Sequence, residues 1–223
     1  MGLVDAVKMN YAMFGKYNPE FLDAPFIRNH DMKRAMSEFV TINNPAFVEK
    51  GFKKMKQASV MLMTMGGVPY IYYGEEIGQS GKKPDENIRE PFDWYKTMNG
   101  QYMTREMPKQ YIKANDGVSV EEETGVDGSM LEHYKKIIKL RKEHPAMRSY
   151  EIDKLDVGGN NLYGYIKSSG NEKIAVIFNF SSEDVSFDSK SIFGNAKLFD
   201  IYSGKDAEKS IKVEANGFRI IKY

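Results

Sequence analysis

The chain has 223 residues, 41% hydrophobic and 13% aromatic, enough to fill one large core or two small ones. Lysine plus arginine nearly balances aspartate plus glutamate, and the formal net charge of +1 argues against a general nucleic-acid binder, though not against a local patch. With no cysteine, a disulfide scaffold and a thiolate zinc site are excluded, and no apolar run approaches the ~20 residues of a membrane span.

Residues 3–16 place Val4, Val7, Tyr11 and Phe14 on one helix face, with Gly15 as the stop. The start, MGLVDAVKMNYAMFGKY, lacks the charged beginning, apolar middle and cleavage site of a signal peptide. A soluble chain is expected, cytoplasmic rather than secreted, unless a longer chain carries its own signal ahead of it. Residues 24–28 read as a short buried strand. Residues 46–65 put Val48, Phe52, Met55, Leu62 and Met65 on one stripe of an amphipathic helix that Gly66-Gly67 ends. Residues 68–73 (VPYIYY) read as a second buried strand, closed by Gly74.

This alternation of helix and short apolar strand suits a parallel sheet covered by helices. Residues 78–128 are rich in Gly, Pro, Asn and charge, and a structureless loop of that length is unusual unless functional. Ser129 to Glu132 is a capping-box pattern opening a helix with Leu131, Tyr134 and Ile138 on one face, which His144-Pro145 ends. Beyond Tyr150, strand-like runs at 161–167, 173–180, 196–201 and 217–223 are separated by turn signals at 168–171 and 203–206. Close strands with short turns predict an antiparallel sheet or sandwich. The expected division is 1–148 and 149–223.

Asn29-His30-Asp31 falls where the first predicted strand meets its loop. A carboxylate there can hold sugar hydroxyls or stabilise positive charge, and an imidazole beside it can donate or accept one hydrogen bond. On composition alone the residues rather suit a helix cap, with Asn29 or Asp31 capping a helix near Met32 and His30 incidental. Glu75 and Glu76 follow the second strand in the same way, as rim carboxylates or as the start of a solvated loop. Trp94, among charges, could offer an aromatic face to a sugar ring, but reads rather as the anchor of this long loop to the core. Asp85, Glu86 and Asn87 offer oxygen atoms to a cation, but not at EF-hand spacing. His30, His133 and His144 are too scattered for a zinc site. No P-loop, dinucleotide fingerprint or Gly-x-Ser-x-Gly elbow is present.

PFIRNHD, GVPYIYYGEEIGQSGKKPDENIREPFDW and LEHYKKIIKLRKEHPAM together resemble, in order, the last part of the catalytic barrel in the α-amylase superfamily of glycoside hydrolases. The β-rich tail is similar to that family's C-terminal domain. The resemblance implies the last two β/α units of a (β/α)8 barrel plus an antiparallel β domain. It also implies a retaining enzyme of α-glucosidic bonds, with an aspartate nucleophile, a glutamate acid/base and a third carboxylate that holds the sugar. By match to the motif Asp31 is the third carboxylate, His30 holds sugar hydroxyls and Asn29 supports the turn. Arg89 faces the substrate entrance, and Glu75 organises the site.

The family's nucleophile and acid/base come from earlier strands, and Asp5, Glu20 and Asp23 have no matching context. Neither role, and no metal ligand, is therefore assigned in this chain; calcium belongs to parts of the family barrel not found here. The expectation is the C-terminal part of an amylase-type enzyme, beginning at a Met from a truncated frame or by design, and inert alone. An α-glucan or malto-oligosaccharide would be its ligand, with no nucleic-acid or membrane partner. The alternatives are a non-catalytic module, touching carbohydrate through Tyr163, Tyr165 and Phe178, or one half of a complementing two-chain enzyme. Exposed strand edges would then favour self-association or pairing with the missing barrel half.

Overall fold

The computed structural model describes residues 2–40, 44–104, 109–158 and 161–223. The chain divides into two compact units: Met1–Pro25 with Val60–Pro69 and Ile137–Tyr223, and Phe26–Ser59 with Tyr70–Lys136.

In the first unit, α1 (Leu3–Gly15) ends at the predicted glycine. Its Val4 is buried, but Phe14 stays exposed and stacks on Phe21 at 5.0 Å. Tyr11 meets Tyr150 edge to face at 4.4 Å, and its hydroxyl accepts from the Gly66 N–H. The Tyr150 hydroxyl accepts from the Asp23 N–H, and the Asp23 carbonyl accepts from the Val68 N–H. Gly67 is required at this crossing. Its φ is +88°, and a Cβ there would lie 2.2 Å from the Asp23 carbonyl oxygen.

In the second unit, the residues around Asn29 lead through Arg34 into α2 (Ala35–Phe39). The long helix α3 (Pro45–Met63) is opened by Asn44, whose side chain accepts the Ala46 N–H, and by Pro45 in the first turn. The predicted stripe is confirmed, with Met55, Leu62 and Met65 buried and Val48 and Phe52 half-buried. α3 is shared between the units, its last turn belonging to the first.

The two predicted barrel strands differ from expectation. Residues 24–28 and 68–73 contribute one parallel bridge, Phe26 to Tyr70, and no ladder. Phe26 is 50% and Tyr70 60% exposed, so neither run is a buried strand. Continuous apolar runs are buried only when neighbouring strands and helices cover both faces. Among the described residues neither run pairs with any further strand. Residues 78–128 differ in the other direction. They contain α4 (Asp85–Ile88) and α5 (Val120–Glu123) and bury Ile88 and Ile112.

The next helix, α6 (Met130–Glu143), starts as predicted, with Ser129 Oγ accepting the Glu132 N–H at 3.2 Å. Glu132 does not complete the box; it accepts instead from Gly125 and pairs with Lys135. Glu123 supplies the second cap, accepting the Leu131 N–H at 2.7 Å. The buried stripe is Met130, Tyr134, Ile137 and Arg141, while Leu131 and Ile138 are only half-buried. Ser129→Ala is expected to cost ~1 kcal/mol in a thermal melt. A loss within error would show that Glu123 caps the helix alone.

The remaining elements lie in the first unit. After α7 (Pro145–Arg148) come β1 (Ile152–Leu155), β2 (Leu162–Ser169), β3 (Glu172–Asn179) and β4 (Val185–Asp188). Then follow α8 (Ser189–Phe193), β5 (Phe199–Asp200), β6 (Lys205–Asp206), β7 (Ser210–Val213) and β8 (Phe218–Lys222). The main sheet is antiparallel in the order β1-β2-β3-β8-β5-β6, and β4 pairs with β7. The predicted turns at 168–171 and 203–206 join β2 to β3 and β5 to β6. Ala175, Ile177, Ile211, Val213 and Ile221 form the core between the sheet and the β4–β7 ribbon. Tyr165 and Phe178 are fully buried, as core residues rather than carbohydrate contacts. No helix among the described residues is long and apolar enough to cross a membrane.

Candidate active site

Asn29 builds a turn rather than a helix cap. Its side chain accepts the Asp31 N–H at 3.0 Å, and its carbonyl accepts the Met32 N–H. α2 begins only at Ala35, so the capping alternative for Asn29 and Asp31 fails. The turn points Asp31 and His30 into solvent, with His30 Nε2 3.4 Å from Asp31 Oδ2. Arg89 closes the group. Its Nε donates to the His30 carbonyl at 3.0 Å, and its Nη2 to Asp31 Oδ1 at 2.9 Å. The same Nη2 reaches Asp85 Oδ2 at 2.8 Å. Lys83 also pairs with Asp85, and these cations hold its carboxyl below the usual range.

Four of the residues singled out in the sequence, Asn29, His30, Asp31 and Arg89, thus come together. Asp85 is the member that sequence reasoning placed elsewhere, as a cation ligand. Its i,i+4 spacing from Arg89 was the available signal.

Glu75 is not part of this exposed group. It lies in the 3-10 turn Glu75–Ile77, 3% exposed, which excludes the solvated-loop reading. Gly74 before it has φ +87°, and a Cβ there would meet Gln79 and Arg34. Arg34 is buried with its guanidinium carbon 4.7 Å from the centroids of both Tyr72 and Tyr73. It donates to the carbonyls of Tyr73 at 2.5 Å and Glu90 at 3.4 Å. The Tyr73 hydroxyl donates to the same Glu90 carbonyl.

Trp94 departs from its predicted role. It is 41% exposed, edge-on to Phe92, and the loop is anchored by buried Glu90 and Asp93 instead. Burial, then the neighbouring Asp116 and Glu122, push the Asp93 carboxyl up to about 7. Ser59 Oγ and His133 Nε2 lie 2.6 Å apart, a spacing that suits a nucleophile and base. Both are buried, and burial pushes His133 down to about 3, so the pair joins α3 to α6 and meets no substrate. Among the described residues no group of three or more His, Asp or Glu side chains could hold a metal ion.

The family profile described as alpha amylase, catalytic domain, matches residues 3–150. The chain belongs to the α-amylase family. Alpha-amylase 3 of Dictyoglomus thermophilum is 29% identical over 211 residues, 95% of this chain and 40% of that protein. Oligo-1,6-glucosidase of Parageobacillus thermoglucosidasius is 28% identical over 196 residues, 71% of this chain and 34% of its own. The solved structure of Eubacterium rectale Amy13B superimposes with a TM-score of 0.76 at 22% identity, over 98% of this chain and 42% of that one. The chain therefore spans less than half the length of the curated relatives it matches. The fold is the last two β/α units of the family's (β/α)8 barrel followed by its antiparallel β domain.

Proposed function

We propose that the chain is the C-terminal part of a retaining glycoside hydrolase acting on α-glucosidic bonds of starch-derived oligosaccharides. Residues 1–148 are its share of the catalytic barrel and 149–223 its β domain. The observation that carries this reading is the exposed Asp31 carboxylate, set by the Asn29 turn and clamped by Arg89 beside His30. Asp31 is the third carboxylate, which holds sugar hydroxyls. His30 shares those hydroxyls, and Arg89 offers guanidinium donors at the entrance. Glu75 organises the site from within the protein. The KPDENIR loop, with Asp85 and Arg89 in it, favours short oligosaccharides.

Retention needs two carboxyl groups roughly 5–5.5 Å apart, one each side of the bond. We assign neither nucleophile nor acid/base within these residues, because the family resemblance places both on strands earlier than the run that carries Asp31. The chain alone is then inert. The exposed Phe26 and Tyr70 favour completion of the barrel by the remaining β/α units, on a longer chain or a second polypeptide. With Tyr165 and Phe178 buried, a purely carbohydrate-binding β domain is the weaker reading.

The test is hydrolysis of p-nitrophenyl α-glucoside and maltotriose. The purified chain and its Asp31→Asn variant are both expected to show no turnover. Turnover lost in the variant would overturn the inert-alone reading. Joined to the preceding β/α units of a relative, the chain is expected to hydrolyse, and Asp31→Asn to lower kcat by roughly 10²–10³-fold, as for loss of one electrostatic stabiliser. An active chimera indifferent to Asp31→Asn would overturn the assignment of Asp31.

A further inference from the structure

Both carboxyl oxygens of Glu75, Oε2 of Glu76 and the hydroxyl of Tyr134 are buried without a hydrogen-bond partner among the described residues. The Nε of Arg34 is the complementary orphan, a buried donor with no acceptor. Such atoms carry a desolvation cost in a folded protein and call for an explanation. The charges make one available. Desolvation pushes the Glu75 carboxyl up to about 8, with Glu76 adding to the rise and Arg34 opposing it. The N–H groups of Tyr72 and Arg28 also oppose it, though not in hydrogen-bonding geometry. Burial raises Glu76 as well, and burial followed by the charges of Glu75 and Glu76 pushes the Tyr134 hydroxyl on α6 up. A metal ion is disfavoured there by the Arg34 charge.

We infer that Arg34 and Glu75 form a proton-controlled clasp. With Glu75 neutral, Arg34 holds the carbonyls of Tyr73 and Glu90. With Glu75 ionised, the Arg34 Nε–H turns to the new carboxylate and those carbonyls are released. Arg34 lies three residues beyond Asp31, and Glu90 directly follows Arg89. The clasp therefore fixes the two backbone stretches that carry the Asp31–Arg89 pair. Its bearing on sugar binding rests on the reading of Asp31 above; the clasp itself does not.

The sign follows from proton linkage. The folded pKa lies above the unfolded one, so folding retains a proton on Glu75 that the unfolded chain gives up. The stability tied to neutral Glu75 is fully present below the unfolded value near 4.5 and is lost as pH rises through about 8.

The test is a pH titration of the full chain from 5 to 9.5, following the Arg34 Nε–H resonance by NMR and the carboxylic-acid carbonyl band by infrared. The Arg34 resonance is expected to shift as the protonated band disappears. Both changes should vanish in Glu75→Gln and persist in Asp93→Asn and Glu123→Gln, controls for the two other acids that burial pushes up to about 7. In thermal melts Glu75→Gln is expected within about 2 °C of wild type at pH 5 and at least ~5 °C above it at pH 9. An Arg34 resonance that stays fixed while the Glu75 band titrates would overturn the clasp, as would absence of the band at pH 6. The wild-type titration decides even if the variant fails to fold. Neither readout involves sugar, so an inert or non-binding Asp31 leaves the result intact.

Discussion

Glu90→Ala is expected to lower the stability of the second unit by roughly 3–5 kcal/mol, the range for breaking a buried charged network. Glu90 is fully buried, and its carboxylate is the acceptor for a stretch of backbone far along the chain. Oε1 accepts from the N–H groups of Gln110 at 2.5 Å and Tyr111 at 3.1 Å. Oε2 accepts from Tyr111 at 3.0 Å and Ile112 at 2.9 Å. Bonds to an ionised acceptor contribute about 1.5–3 kcal/mol each, and a buried donor left unpaired costs ~1–3 kcal/mol. Water entering the gap recovers part of this, which is why the expected loss is below the sum. Glu90→Gln keeps one acceptor oxygen and should fall between the two. The checks are urea melts and limited proteolysis near residues 109–112, which should be cut in Glu90→Ala before any global unfolding. Equal stability and equal resistance to proteolysis would show that Ile112, buried in the core, secures this segment alone.

Glu90 also shows where reading a sequence stops. In the run DENIREPFDW it is one carboxylate among four, and nothing local distinguishes it from Glu86, which is exposed. Its role depends on three amides some twenty positions away. Arg34 is hidden in the same way. Beside Lys33 it reads as half of a basic pair, yet Lys33 pairs with surface Glu38 while Arg34 is buried between two tyrosines. Helices were legible because their evidence is local. The spacing of Met55, Leu62 and Met65 and the cap at Ser129 each lie within one or two turns. Hairpins of the β domain were legible for the same reason, through Gly170 and Gly204 at their turns. The runs at 24–28 and 68–73 failed the test of burial because a strand's environment is supplied by its neighbours. Phe26 and Tyr70 have the composition of covered strands without, among the described residues, the cover.

The candidate site divides along the same line. Asn29, His30 and Asp31 are contiguous, and a turn between them is a local event. Arg89 is far away in sequence, and only the resemblance pointed to it. The geometry adds what the resemblance lacked: Arg89 binds the Asp31 carboxylate itself and shares its charge with Asp85. These are exposed ion pairs, worth little to stability. Their substitution should therefore alter ligand contacts and leave the melt nearly unchanged, the reverse of Glu90.

Arg141→Met is expected to destabilise the first unit by roughly 3–5 kcal/mol. The C-terminal end of α3 leaves carbonyls without helical partners, as every helix does. Arg141 supplies a donor to the last of them, Met63, and to three carbonyls beyond the helix. Its Nη1 donates to the carbonyls of Met63, Met65 and Met147 at 2.7–2.9 Å, and its Nη2 to Gly67 at 2.8 Å. The guanidinium is buried with no carboxylate beside it in these bonds, so burial pulls its proton affinity down, and the carbonyl dipoles stand in for a counter-ion. Methionine fills the volume but leaves all four carbonyls unpaired. Lysine keeps the charge, but its compact ammonium cannot span carbonyls on both sides of a planar fork. Arg141→Lys should thus recover less than half of the loss in a thermal melt. Full recovery by lysine would mean that charge alone, and not the geometry of the fork, closes the end of α3.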